Sequence, residues 1–328
     1  WKLVLGTIEG PSFIPVTEIV PRTVKCSYDL DEGLYITFFY HVDKALENPA
    51  GKGEIDLLRG SKFEIAVNKL NPEDNGLLEL RAEACGALDS LVNVIDENEI
   101  RYAWNLTSDI SIQVRNLQLV DKEIVMLAGS ISSLISETEA RTISELKIIG
   151  TLDASDIWYI RDKFVNLKSL DISATTILEY TLPESTPGYK DVQIADYLPQ
   201  YAFWQMKQLK KICLPSGLKG ICEYGIAYLP VEDIDIPEGV EYIAPNSFYG
   251  CEKLESVIMR TMSPCNIDTS TFEQTLCPLQ GVLFVPEKCK QTYANTVVWQ
   301  EFEQIVETNN PEKFLETQDI DNINYKMK

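Results

Sequence analysis

A repeat longer than any single helix or strand constrains this chain most. Leu209-Lys-Lys-Ile-Cys-Leu-Pro-Ser-Gly-Leu-Lys-Gly-Ile221 aligns with Val231-Glu-Asp-Ile-Asp-Ile-Pro-Glu-Gly-Val-Glu-Tyr-Ile243 at a shift of 22. Partial copies occur at Leu254–Met259 and Val282–Pro286. One anchor series is Leu214, Ile236, Met259 and Val285, spaced 22, 23 and 26. A second is Phe203, Ile226, Phe248 and Phe272, spaced 23, 22 and 24. Upstream, Leu146-Lys-Ile148 and Leu170-Asp-Ile172 repeat at 24. Two interleaved series in phase predict a stacked repeat architecture, a solenoid, because no single unit of this size can bury its own apolar face.

Each unit reads as a short strand with alternate residues inward, ended by Pro215, Pro237 or Pro286, with Gly217 and Gly239 turning the chain. Alternation sends Ile212 and Leu214, or Ile234 and Ile236, into the core. The opposite phase, Lys147, Asp171, Lys211, Cys213, Asp233, Asp235, Ser256, Ile258 and Phe284, faces outward. Within this row Asp171, Lys211, Asp233, Asp235, Ile258 and Phe284 form the candidate binding surface. The row contains no aromatic ladder, which weakens a sugar-stacking reading. Asp235 is expected to be an unpaired surface side chain, and Phe248 a buried anchor.

The ends of the array read as caps. Ile131, Leu134 and Ile135 fall on one helical stripe. Glu287–Val306, with Tyr293, Trp299, Phe302 and Val306, reads as a helical cover. Residues 173–200 and 260–281 interrupt the period.

Residues 1–118 differ. Alternating runs at Val24–Leu30, Leu34–Val42, Glu54–Leu58, Lys62–Val67, Leu77–Ala84, Arg101–Trp104 and Ile110–Val114 are separated by turn formers. About seven short strands of this kind suggest a β-sandwich. The immunoglobulin signature is missing, since no tryptophan lies between Cys26 and Cys85. The predicted fold class is therefore mainly β with short helices. It comprises a β-sandwich, immunoglobulin-like or similar, over 1–118 and a short capped leucine-rich repeat solenoid over 119–308, with a tail at 309–328.

A chain of 328 residues fits about two domains. With 29 basic and 50 acidic side chains, the net charge of −21 leaves no basic surplus to neutralise nucleic-acid phosphates or an anionic membrane. No apolar run reaches 18 residues, so no membrane span is expected. The chain opens at Trp1 without a signal-like segment and reads as a mature form.

Chemistry is sparse. Eight cysteines and one histidine, with no Cys-x-x-Cys, argue against a zinc site. The cysteines read as mostly free, buried thiols because those in the repeats belong to separate units. Cys265, Cys277 and Cys289 could still pair. His41 reads as a packed or surface histidine, and no Gly-x-Ser-x-Gly elbow accompanies it. Asp319–Asn324 lacks the glycine and the twelfth ligand of a calcium loop. Gly51-Lys-Gly53 lacks the rest of a phosphate loop, and the sequon Asn105-Leu-Thr107 reads as chance. No catalytic residue, cofactor or metal is expected.

Tyr201-Ala-Phe203, then Leu209–Pro215, then Asn246-Ser-Phe-Tyr-Gly-Cys251 with Leu254, resemble the BspA-like leucine-rich repeat proteins. The lead-in Thr142–Leu152 with Leu167–Ser173 is similar to the family's opening unit, and Val285–Tyr293 through Trp299 and Phe302 to its closing one. The resemblance covers about residues 125–308. It implies an exported bacterial protein, in the periplasm or at the cell surface, where a removed N-terminal segment would carry a lipid anchor. Its implied role is non-enzymatic binding or adhesion through the repeat face. The implied partner is a host or bacterial surface protein or glycan, met by a monomer. The alternative is an accessory protein or hydrolase of periplasmic glycan uptake, and a concave pocket with convergent polar groups and a shifted pKa would mark the hydrolase.

Overall fold

The structure, a computed structural model, describes residues 23–41, 44–49, 51–60, 62–71, 76–84, 92–96, 99–105, 108–184 and 186–312. Cys85, the Asp319–Asn324 stretch and the tail beyond Glu312 lie outside the described residues, as do the side chains of His41 and Asn105. The chain divides into two compact units, Trp1–Leu119 and Val120–Lys328. Strand is the commonest regular structure in both.

The first unit has nine strands: β1 (Thr23–Leu30), β2 (Leu34–His41), β3 (Lys44–Pro49), β4 (Lys52–Leu58), β5 (Lys62–Lys69), β6 (Leu77–Ala84), β7 (Val92–Asp96), β8 (Glu99–Asn105) and β9 (Ile110–Leu117). They form a sheet in the order β4-β1-β9-β6-β7 and another in the order β3-β2-β5-β8. All pairs are antiparallel except β1 with β9. The alternation in β1 buries Val24, Cys26, Tyr28 and Leu30, and side chains of both sheets share one core. Tyr28 packs 5.3 Å from Phe38, which stacks on Phe63 at 5.7 Å. The seven expected runs fall on strands, with Val42 outside the described residues. The two strands not expected, β3 and β7, are sheet edges.

The second unit opens with β10 (Val120–Met126), α1 (Ile131–Leu134), α2 (Glu137–Ala140), β11 (Ile143–Leu152), α3 (Ala154–Lys163) and β12 (Ser169–Ile177). After β13 (Tyr180–Thr181) and β14 (Val192–Gln193), which form a small antiparallel hairpin, come β15 (Tyr197–Leu198), β16 (Lys211–Cys213), β17 (Gly220–Ile221), β18 (Asp233–Ile236), β19 (Tyr242–Ile243) and β20 (Ser256–Met259). A 3-10 turn at Thr269–Phe272, then β21 (Val282–Val285), α4 (Lys290–Ala294), a 3-10 turn at Trp299–Glu301 and β22 (Gln304–Glu307) complete it.

Three parallel sheets obey the sequence period: β10-β11-β12-β16, β15-β17-β19 and β18-β20-β21-β22. The turns add a further ladder, in which the N–H groups of Phe203, Ile226 and Phe248 donate to the carbonyls of Gly225, Ser247 and Thr271. Each repeat therefore satisfies its backbone through the next one, including groups that a loop would leave to water. Inward residues of all these repeats make one continuous core. Both predicted anchor series lie in it, from Phe203 and Leu214 to Phe272 and Val285.

The opening cap contains helix as expected, with Ile131 and Ile135 buried, but Leu134, expected on the same stripe, is exposed. The far end differs. Glu287–Val306 is not one helical cover, because after α4 and a 3-10 turn the chain adds β22 in parallel to β21. Tyr293 and Trp299 are fully buried beneath it. In β22 Ile305 takes the inward position and Val306 the outward one, a strand alternation where a helical stripe was expected.

All seven described cysteines are free thiols, including Cys265, Cys277 and Cys289. Cys251 and Cys277 donate to the carbonyls of Ile226 and Leu254, one repeat back, at 3.0 and 3.2 Å. Burial pushes Cys26, Cys251 and Cys277 up to about 12 and Cys265 to about 11. Thiols of the unfolded chain ionise near 9.0, so stability from these sites is full below that pH and lost as pH rises toward the folded values. Mass spectrometry after denaturing, non-reducing alkylation is expected to find these seven thiols labelled. Native alkylation should label the half-exposed Cys213 and Cys222 first. A set fully protected from alkylation after denaturation would refute the free-thiol assignment.

Candidate binding face of the repeats

Parallel register converts the outward phase of each strand into continuous rows. In the first sheet Glu123, Lys147, Asp171 and Cys213 are successive partners. In the third, Asp235, Ile258, Phe284 and Val306 are. Two residues earlier run Glu145, Ser169 and Lys211, and then Asp233, Ser256, Val282 and Gln304. Lys147 bridges Glu123 at 2.8 Å.

The backbone ladder is interrupted between β16 and β18, which belong to different sheets. A groove of about 920 Å³ lies at this break. Lys211, Cys213, Asp233, Asp235, Arg260 and Glu312 line it, with Pro230, Pro237 and Ile258 supplying apolar surface. Lys211 and Asp233 are exposed. The groove walls nevertheless desolvate the Asp233 carboxyl and raise its pKa, an effect that Lys211 opposes and Glu232 and Asp235 reinforce. Asp235 is not the unpaired side chain expected. It accepts from Arg260 Nε and Nη2 at 2.9 and 2.6 Å, a two-pronged charge-assisted pair. The second oxygen contact, 2.5 Å from Arg260 Nη2, is the Glu312 carboxylate.

Of the six candidate residues, Lys211, Asp233, Asp235 and Ile258 line this groove. Asp171 is half-exposed beside it, and its Oδ1 accepts from the Ser173 N–H and hydroxyl. Ile258 and Phe284 must be corrected: they are 3% and 1% exposed. Their strand phase is outward, but with Val282, and with Val306 packed against them, they form a small core of their own. The signal was present in the sequence. Ser256-Val-Ile-Met259 and Val282-Leu-Phe-Val285 are nearly continuous apolar runs, the mark of strands covered on both faces.

A second feature lies on the turns, where strand alternation gives no signal. Trp158 of α3 lies 5.0 Å from Tyr189, which lies 5.3 Å from Tyr201. Tyr201 stacks on Tyr224 at 5.2 Å with the rings parallel to within 1°. Tyr249 and Tyr228 extend the series. Tyr201, Tyr224 and Tyr228 all have φ between 55° and 60°, where bulky side chains are uncommon. In the next repeat the equivalent positions are Asn246 and Gly250, the residue types that tolerate this conformation. The recurrence of Tyr201 at Tyr224, 23 residues on, was the available clue. Arg161 anchors the ladder, donating to the Tyr201 carbonyl at 2.9 Å and the Tyr189 hydroxyl at 3.2 Å.

Among the described residues no cluster of three or more His, Cys, Asp or Glu side chains is placed to hold a metal, and no helix is long and apolar enough to cross a membrane.

The stacked parallel strands and the repeating turns define a leucine-rich repeat. Residues 189–296 match the model of the BspA type leucine rich repeat region, in six copies. The match is narrower than the resemblance over 125–308, although β10, β11 and β12 continue the same parallel ladder upstream of it. No curated protein matches the chain.

Proposed function

We propose that this chain is a non-enzymatic binding or adhesion protein of the bacterial exterior, cell surface or periplasm, in which a β-sandwich precedes a capped solenoid whose strand side recognises a protein or glycan. The observation that carries this reading is the groove at the β16–β18 break, where exposed Lys211 and Asp233 stand beside the Asp235–Arg260 pair. Opposite charges, each carried by its own parallel ladder on either side of the break, suit selective contact with a partner's polar surface. The upward shift of Asp233 in this groove is the feature that would mark a hydrolase; what supports the non-enzymatic reading beside it is that the neighbouring carboxylate, Asp235, is held by Arg260 in a two-pronged pair. The proposed domains are the sandwich over 1–118, the repeats with their caps over 119–308, and the tail over 309–328.

The aromatic ladder favours a second reading, an accessory protein of glycan uptake, because tyrosine and tryptophan combine apolar ring surface with a polar handle. One screen separates the two. The purified full chain is probed on a panel of extracellular proteins and on a glycan array. On the first reading a hit is weakened at least about ten-fold by Lys211→Glu with Asp233→Lys, and is unchanged by Tyr224→Ala. A glycan hit lost with Tyr224→Ala and Tyr228→Ala, but kept by the groove variant, would replace it with the second. Turnover of a substrate by the purified chain would overturn both.

A further inference from the structure

We infer that the groove between β16 and β18 takes an extended peptide segment of a protein partner as an inserted strand, paired through its backbone to both walls. The inserted strand rests on the groove being the binding site, and it names the partner's chemistry. Among the described residues, parallel ladders join β10 to β11, β12 and β16, and β18 to β20, β21 and β22, and only the step from β16 to β18 is unpaired. The intact rungs show what the break lacks. The Lys210 and Lys211 N–H groups donate to the Lys168 carbonyl at 2.9 and 3.1 Å, and those of Glu255 and Ser256 to the Glu232 carbonyl at 2.8 and 3.1 Å. The equivalent donation, from Glu232 and Asp233 to the Lys210 carbonyl, is not made. At the other end of the strands the Arg260 N–H donates to the Ile236 carbonyl at 3.0 Å. Pro237 holds the place of Arg260 one repeat earlier and has no N–H to offer the Leu214 carbonyl.

Alternate residues of a strand turn their backbone groups to opposite neighbours. The carbonyls of Glu232 and Ile236 serve the β20 repeat, so the backbone groups of Asp233 and Asp235 face the break. The Lys211 N–H serves Lys168 in the preceding repeat, so the backbone groups of Ile212 face the break from the other wall. Donors and acceptors thus line both walls at ladder spacing, the open edge that an added peptide strand completes. A glycan offers no matching row of alternating N–H and C=O. A strand needs about 4.8 Å on each side, so β16 and β18 separate as it enters. No ladder bond on this face opposes that, and the groove of about 920 Å³ is the entrance. Side chains of the guest alternate between two surroundings. Those turned inward meet Ile212, Leu214, Ile234 and Ile236 and are apolar, whereas those turned outward run between Lys211 and Asp233 and are polar. The 4 residues of β18 set the length of the paired segment.

The test uses the full chain and a phage-displayed library of random heptapeptides, from which the strongest binder is synthesised. Its affinity is expected to fall at least about ten-fold when a central amide is N-methylated, a change that removes one donor and leaves every side chain. Hydrogen exchange at the Ile212, Asp233 and Asp235 amides should slow at least about ten-fold on binding. Asp235→Cys sets a thiol across the break from native Cys213, since both positions line the groove. A disulfide between them should hold the boundary closed and weaken binding at least about ten-fold against the same variant reduced. Lys211→Cys with Asp233→Cys replaces this clamp if the first pair does not oxidise. A binder that loses affinity with Lys211→Glu and Asp233→Lys, but ignores N-methylation, would overturn the inserted strand and leave the groove reading standing. A binder that ignores the charge variant, yet is lost on N-methylation and slows exchange at the same amides, would count against the charge reading alone. A library without a binder, or a glycan that slows exchange there when no peptide does, would overturn the inserted strand.

Discussion

Phe248→Ala is expected to destabilise the repeat unit by about 3–5 kcal/mol, the range for deleting a core phenylalanine. Phe248 has no exposed surface, and its ring stacks on Phe272 at 5.2 Å and 9°. Phe272 in turn contacts the rings of Trp299 and Phe302 at 6.0 and 5.6 Å. Truncation therefore leaves a cavity inside an aromatic column that rigid parallel ladders prevent from collapsing. Asp235→Ala is the matching control. Its carboxylate is half in solvent, and losing its pair with Arg260 should cost about 1 kcal/mol or less. Denaturant melts of the two variants decide the register. A one-residue slip would exchange the faces, so equal effects, or a larger one at Asp235, would refute it.

The second large effect is expected at Asp156. This carboxyl is 1% exposed and accepts from the N–H groups of Gly129, Ile131 and Asp153 at 2.7, 3.1 and 3.1 Å. With Asp153 it completes a capping box at the start of α3, and it also ties α3 to the turn that begins α1. Asp156→Ala leaves those donors unsatisfied in the interior and should cost about 3 kcal/mol, since each orphaned buried group costs roughly 1–3 kcal/mol. Asp156→Asn keeps the size but turns an amide N–H₂ toward backbone donors, and should recover only part of this. Burial outweighs the three donors and raises the Asp156 pKa above 3.8. The folded chain thus holds this proton more tightly than the unfolded chain. The parent should lose stability relative to Asp156→Asn as pH rises from 3.8 through the raised value, and the difference should be constant above it. A difference independent of pH would refute the shift.

The repeats were legible because their physics is periodic. A side chain one repeat on meets the same neighbours, so Leu214, Ile236, Met259 and Val285 recur as buried anchors. The strands of the first unit were legible through alternation, apart from the edges β3 and β7. The site was less so. Strand phase placed Lys211, Asp233 and Asp235 on one face, but the groove between them depends on a missing ladder step that no residue announces. Phase also cannot report whether an outward side chain is later covered, which is why Ile258 and Phe284 read as open surface. Arg260 gave no signal because its partners, Asp235 and Glu312, lie 25 and 52 residues away. The tyrosine ladder depends on positive φ at Tyr201, Tyr224 and Tyr228, a conformation that aromatic side chains do not advertise.

The missing step between β16 and β18 has a mechanical meaning. On the far side of the same repeat boundary β17 remains paired to β19, and the Ile226 N–H still donates to Ser247. The boundary resembles a bound page, stitched along one margin and free along the other. Two repeats can therefore part at the strand side without breaking a sheet hydrogen bond there, whereas opening any neighbouring boundary would break several. Among the described residues the strand side has one such seam, and it runs through the groove that carries Lys211 and Asp233.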